Sequence, residues 1–425
     1  MKICRFILVL ISLTILAWSE DGFFTLPAKD SGAGLPADKV YPLGRVLPIL
    51  GYAPRKLEQM KESGFTVAGP RYSKGDDAWI KEYPDYPVVY SIVGAVNGVP
   101  CTKEVFNKRT PLDFNAIRED VAAKVRKAIA QYPYIAFFYV SPEERRWWRA
   151  NEFEYVRCLF EAIHANDPAG RPVFMYMPGH YESKSVAKYA DRLDVLGKGV
   201  YVNHHGFKKN RVWVRYSVEG LKQAAAGAQR PKVILPVLEM MAAPGAEELP
   251  LVSAWARHDA YLSMLCGAHG FAIFSLHNRP ALRKAYSSYY DAYKQVALEL
   301  TSEKHGFLGE IFLFGERRDD VRLEVIQGPA ELNLPLRASA KADDAAPSVK
   351  YPSVAHLSIA HLRGRFLFLV NSAAERVECR VSGLPEVRVL VRSAVSGEKI
   401  CEAKGNLMLQ FEPLEVKLYK LEKAE

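Results

Sequence analysis

The chain has 425 residues, 49% hydrophobic and 25% charged, with 28 Gly and 26 Pro. These proportions are those of a folded soluble protein and exclude a disordered, collagen-like or disulfide-scaffold chain. Length fits one large domain of about 250–300 residues with a smaller companion, or three medium ones. The formal charge of +9 favours anionic partners, acidic or sulfated glycans among them, through non-specific attraction. With no run of five like charges and no nucleic-acid motif, nucleic acid is not an expected partner.

Residues 1–19 differ from the rest. Lys2 and Arg5 precede an apolar run from Phe6 to Leu16, and Ala17-Trp18-Ser19 supplies small residues at cleavage-site positions. This is the layout of a secretory signal peptide, too short to span a bilayer. The expectation is a secreted or periplasmic protein with its mature start near Glu20. Loss of the leader takes the formal charge from +9 to +7, since it contains no acid. No later stretch reaches the ~18 uncharged apolar residues of a membrane span. Cys101, Cys158, Cys266, Cys379 and Cys401 follow the leader. Their odd number leaves at least one unpaired, and Cys379 with Cys401 is the candidate bridge.

An N-terminal extension, 20–44, leads into a region of alternating elements, 45–304. Short β-branched runs predict strands at Arg45–Tyr52, Phe65–Tyr72, Pro87–Gly94, Tyr134–Val140, Pro172–Met177, Val195–Val202, Lys232–Glu239 and Gly270–His277. Helical patterns fall between them at Pro54–Ser63, Asp76–Glu82, Phe114–Gln131, Ala150–Asn166, Glu182–Ala190, Val218–Ala226, Leu251–Cys266 and Pro280–Leu300. Asp113 is placed to cap the third helix, where Ile117, Val121, Val125 and Ile129 recur at helical spacing. Strand–helix alternation demands parallel strands. Eight such units fit a closed (β/α)₈ TIM barrel better than a doubly wound sheet, whose Gly-rich phosphate turn is missing after the first strand.

Beyond residue 305 the helices stop. Alternating runs predict strands at Leu308–Phe314, Val321–Ile326, Val354–Leu362, Phe366–Asn371, Arg376–Val381, Arg388–Val391, Leu407–Phe411 and Glu415–Leu421, with a loop at Ala338–Lys350. Residues 305–425 therefore read as an antiparallel β-sandwich.

A TIM barrel carries its chemistry at the C-terminal ends of its strands. Tyr52 ends the first, Arg71 and Tyr72 the second, and Pro142-Glu143-Glu144 follows the fourth. His180 and Tyr181 follow the fifth, Tyr201, His204 and His205 the sixth, Glu239 the seventh, and Ser275, His277 and Asn278 the eighth. Two carboxylates across a mouth lined with aromatics are what glycosidic cleavage uses: one protonates the leaving oxygen, the other attacks the sugar or activates water. Their surroundings must hold their pKa values apart. Glu239 ends the apolar run Val233–Leu238, which would bury it unless the chain had just emerged at the rim.

Several runs resemble the large clan of retaining barrel glycoside hydrolases. They are Ile163 through Asp167-Pro168 to Arg171-Pro172-Val173, Leu193-Asp194 to Gly199-Val200-Tyr201, and Gly267-Ala268-His269-Gly270 to Phe274. Phe366 to Asn371 and Phe411 to Tyr419 are similar to the clan's C-terminal β-domain. The resemblance implies Glu143 as acid/base and Glu239 as nucleophile, with Arg71 orienting the nucleophile and Tyr201 hydrogen-bonded to it. Tyr139-Val140-Ser141-Pro142-Glu143 is the run that selects Glu143 over Glu144; Pro142 stands where the clan carries Asn.

Tyr52, Tyr72, Glu144, Trp147, His180, His204 and His277 complete the expected substrate-binding set, with Trp147 and Trp148 as a stacking platform or as packing for the fourth helix. His180, His204, His205 and His277 lack metal-ligand spacing, so neither metal nor cofactor is expected. The expected function is hydrolysis of a poly- or oligosaccharide; a non-catalytic carbohydrate-binding barrel is the alternative.

Overall fold

The computed structural model describes residues 23–24, 46–71, 78–109, 111–241, 243–277, 285–305, 307–336 and 347–424. The expected leader, Tyr72 and Asn278 lie outside these residues.

Eight parallel strands close into a barrel: β1 Ile49–Gly51, β2 Val67–Ala68, β3 Val88–Val93, β4 Ile135–Ser141, β5 Val173–Met177, β6 Val195–Val200, β7 in two pieces at Val233–Ile234 and Val237–Glu239, and β8 Phe271–Phe274. Neighbours pair in chain order, and β8 pairs with both β7 and β1, completing the ring. Pro236 divides β7 because it has no N–H to give a ladder. Both pieces still pair with β6. The expected (β/α)₈ architecture is the one observed.

The helices are α1 Leu57–Glu62, α2 Lys103–Asn107, α3 Phe114–Gln131, α4 Ala150–Asn166, α5 Ser183–Ala187, α6 Trp213–Ala226, α7 Val252–Leu265, α8 Tyr286–Thr301 and α9 Leu308–Phe314. Asp113 caps α3, its Oδ1 accepting from Asn115 N at 3.0 Å and Ala116 N at 3.1 Å. Ile117, Val121 and Val125 are fully buried, as their spacing requires. Helix α6 starts five residues before the expected Val218. Trp213 opens it by stacking on Phe207 at 4.1 Å between centroids, a tertiary contact that local propensity does not contain.

One expected strand is wrong. Leu308–Phe314 is helix α9, not the first strand of the sandwich. All seven of its residues are buried, so the run is apolar on every side and carries no period to separate helix from strand. It packs on α8, and Phe312 stacks on Phe368 at 4.6 Å.

After α9 the sheets are antiparallel. A six-stranded sheet runs Glu316–Arg318, Val354–His361, Gly364–Asn371, Val416–Lys423, Val389–Ser393 and Lys399–Ala403. A three-stranded sheet joins Arg322–Gln327, Val377–Ser382 and Asn406–Phe411, and Glu331–Pro335 pairs with Ser348–Pro352. The last strand occupies part of the expected Ala338–Lys350 loop.

Alternation in Gly364–Asn371 places Phe366, Phe368 and Val370 in the core shared with the barrel. Leu367 and Leu369 belong to the core between the sheets. The strand therefore welds barrel to sandwich, burying side chains on both faces. Cys379 and Cys401 are free thiols rather than a bridge.

Candidate active site

Glu239, the last residue of β7, is 2% exposed. Its Oε2 accepts the Asn203 N–H at 2.7 Å and its Oε1 accepts the His204 N–H at 3.1 Å. The loop after β6 thus clamps both oxygens with main-chain donors. The Tyr293 hydroxyl donates to the Glu239 carbonyl at 3.0 Å. Burial raises the carboxyl pKa from 4.5 to about 7, against the two amides and the Arg211 charge, which lower it; Asp259 adds to the rise. Desolvation outweighs the donors because a carboxylate loses most of its hydration here.

Behind the clamp runs a buried polar chain. Arg211 Nη1 donates to Asn203 Oδ1 at 3.0 Å, and Asn203 Nδ2 donates to the Tyr289 hydroxyl at 3.1 Å. The Arg211 guanidinium forks onto Asp259, with Nε to Oδ1 at 3.0 Å and Nη2 to Oδ2. Asp259 Oδ1 lies 2.9 Å from His258 Nδ1. Arg211, Asp259 and His258 are at most 3% exposed. Each of the two charges has its counter-charge, which a buried pair requires.

Glu143 follows β4 and the cis Ser141–Pro142 bond. It is 8% exposed, and the Tyr139 hydroxyl donates to its Oε2. Arg145 holds its carbonyl through Nε at 3.2 Å and Nη2 at 3.0 Å. Glu144 adopts φ 61°, and its side chain is 41% exposed with Oε2 3.8 Å from Lys103 Nζ.

Aromatic rings bridge the two glutamates. Tyr139 meets Tyr52 at 6.3 Å, Tyr52 meets Phe274 at 5.4 Å, and Phe274 meets Tyr201 at 5.7 Å. Phe274 pairs in register with Glu239 across β7 and β8. Tyr201 stacks on Tyr176 at 6.1 Å and on His205 at 6.0 Å. Gly199 permits this: a Cβ there would stand 2.5 Å from the Tyr176 hydroxyl and 2.9 Å from the Tyr201 ring.

Tyr52 and Tyr201 are accordingly buried in the floor of the mouth rather than standing at its rim. His204 reaches Glu239 through its main chain, its residue surface being exposed; His180, His277 and Arg71 are exposed. Among the described residues, the Asn203 and His204 amides hydrogen-bond the Glu239 carboxyl, where the resemblance implied Arg71 and Tyr201. Trp147 is half-buried and Trp148 exposed. Arg211 and Asp259 escaped the sequence reading, while Asn203, Tyr139 and Phe274 stood in runs it named without being given a role. Among the described residues, no group of three His, Cys, Asp or Glu could hold a metal, and no helix is long and apolar enough to cross a membrane.

No family model matches the chain, and no curated protein does. Solved structures match along most of its length. An α-amylase from Geobacillus thermoleovorans, complexed with acarbose, aligns at TM-score 0.50 and 11% identity over 87% of this chain and 91% of its own. A variant of AmyP in complex with maltotriose aligns at 0.50 and 8% identity, covering 90% and 98%. A β-L-arabinopyranosidase from Geobacillus stearothermophilus gives 0.47 and 11% identity, covering 89% and 97%. The fold is one that glycoside hydrolases use; at such identities catalytic residues must be argued from the site itself.

Proposed function

We propose that this chain hydrolyses glycosidic bonds of a poly- or oligosaccharide at the barrel mouth, with net retention. An oxygen of the ionised Glu239 carboxylate attacks the anomeric carbon while the bond to the leaving oxygen breaks, and protonated Glu143 gives that oxygen its proton. Water then attacks the glycosyl–Glu239 ester, returning its proton to Glu143 and freeing Glu239. The carrying observation is the Glu239 carboxyl itself: buried at the C-terminal end of β7, both oxygens fixed by main-chain donors. Such a group is positioned for attack at no cost in side-chain ordering during the reaction. Glu143, fixed by Tyr139, is the second carboxyl on the same rim. A secreted or periplasmic location, resting on residues 1–19, belongs to the same proposal.

A second reading has one observation behind it. Pro142 lacks the amide side chain that the resembling clan places beside its acid, which favours a barrel that binds glycans without cutting them. Purified protein assayed on a panel of polysaccharides and aryl glycosides separates the two. Turnover that falls by a hundredfold or more in Glu239→Gln and Glu143→Gln, roughly the size of lost covalent or acid–base catalysis, supports the hydrolase. Glycan binding without turnover supports the binder, and activity unchanged in both variants removes these glutamates.

A further inference from the structure

A cavity of about 460 Å³ is lined by Phe106, Arg109, Trp148 and the start of α4 from Arg149 to Glu152. Its walls come from the connections after β3 and β4, so it lies on the face of the barrel that carries Glu143. Three features set its chemistry.

The first is charge. Buried Glu152 is the ion-pair partner of Arg145 at 3.4 Å, of Arg146, and of Arg149 at 3.3 Å, so one carboxylate meets three guanidiniums. Arg109 has no ion-pair or side-chain hydrogen-bond partner among the described residues. Its wall and the Arg149 wall therefore carry uncompensated positive charge into a concave, partly apolar space, where field is focused.

The second is rigidity. Arg145 is 3% exposed, lies 4.5 Å over the Phe106 ring, and binds the Glu143 carbonyl. The basic cluster is thus built into the same loop as the proposed acid.

The third is Trp148, which is 55% exposed. Its ring is braced edgewise by Trp147 at 5.6 Å and at a tilt by Tyr181 at 6.2 Å. A braced, exposed indole offers a flat apolar surface to the apolar face of a pyranose. A neutral sugar would use the indole and leave the guanidinium excess idle; a sugar bearing a carboxylate or sulfate uses both, since a guanidinium fork matches either anion.

We infer that this cavity is a subsite for an anionic sugar residue, held by Trp148 against its ring and by Arg109 and Arg149 on its acid group. Its place in the substrate rests on the hydrolase reading; its binding does not. The test uses full-length Glu239→Gln protein, so that binding is read without turnover, and calorimetric titration at low salt. Tetragalacturonate, a sulfated galactan tetrasaccharide and neutral maltotetraose are the probes.

At least one anionic probe should bind about tenfold or more tighter than the neutral one, the size of one charge-assisted hydrogen bond. Its identity decides between carboxylate and sulfate. Arg109→Gln with Arg149→Gln should abolish the preference with the melting temperature little changed, since Glu152 keeps Arg145 and Arg146. Trp148→Ala should weaken that probe by a similar factor. Equal affinity for all three probes overturns the inference, as does a preference that survives the double arginine variant. Anion preference in a protein that never cleaves glycans would keep the subsite and remove the hydrolase; cleavage without preference would do the reverse.

Discussion

Ser372, the residue after the strand Gly364–Asn371, places its hydroxyl oxygen 2.9 Å from Nε2 of His258 on barrel helix α7. Burial holds His258 below its ordinary pKa, so the ring is neutral. Asp259 is held ionised by Arg211, so it accepts the hydrogen bond of the Nδ1–H and leaves Nε2 to accept from Ser372. The hydroxyl is therefore the outer end of a hydrogen-bonded chain through His258, Asp259, Arg211 and Asn203 to Glu239. Ser372→Ala strands a buried acceptor and should cost about 1–3 kcal/mol in urea unfolding, while Ser372→Thr should cost less. An alanine variant as stable as the parent would show that the chain ends at His258.

The two charges behind the clamp act on Glu239 in opposite senses, Arg211 lowering its pKa and Asp259 raising it. Asp259→Asn should move the Glu239 titration below 7, and Arg211→Gln should move it above. Both variants unpair a buried charge and lose stability, but a pH midpoint does not depend on the folded fraction. Carboxyl ¹³C shifts give the midpoint directly, and shifts of the same sign in both variants would contradict the arrangement.

The raised Glu239 pKa also has a stability signature. Below about pH 4.5 the carboxyl is protonated folded or unfolded, and its burial costs nothing through ionisation. From 4.5 to 7 the unfolded chain ionises first, so stability falls as pH rises; above 7 the full cost, about 3 kcal/mol, is present. Glu239→Gln has no such cost. Its stability relative to the parent should climb by about that amount between acid and mildly alkaline pH, whereas a flat difference would mean the carboxyl is not desolvated.

Lys198 gives the mirror case. It is 3% exposed on β6 and donates to the Gly179 and Tyr181 carbonyls at 3.2 and 2.9 Å, tethering the loop that carries His180. Burial lowers its pKa from 10.5 to about 8. Below 8 the charge is buried at full cost; between 8 and 10.5 the folded form is neutral first, and stability rises with pH. The advantage of Lys198→Met over the parent should therefore shrink across that window by about 3 kcal/mol. An advantage that does not change with pH would place the ammonium in water.

The barrel was legible because eight short apolar, β-branched runs alternated with helical patterns, and Asp113 marked a helix start by its chemistry. The strand-end positions of Glu143 and Glu239 were legible because barrel topology assigns meaning to strand ends. Arg211 and Asp259 were not, since they are joined only by folding, and nothing local distinguishes an arginine that buries its charge from one that stays in water. Helix α9 was misread for a related reason: Leu308–Phe314 is buried on all sides, and its helical state is decided by α8 and the sheet above it. The Glu239 clamp is made of main-chain amides, which have no sequence signature.

The most direct test of the account is covalent capture. A panel of 2-deoxy-2-fluoro glycosides with good leaving groups traps the ester of a retaining enzyme by slowing its hydrolysis more than its formation. Peptide mass spectrometry should place the adduct on Glu239, with none in Glu239→Gln. Active enzyme that carries its adduct on another carboxylate, or that turns over at the parent rate in Glu239→Gln, would contradict the assignment.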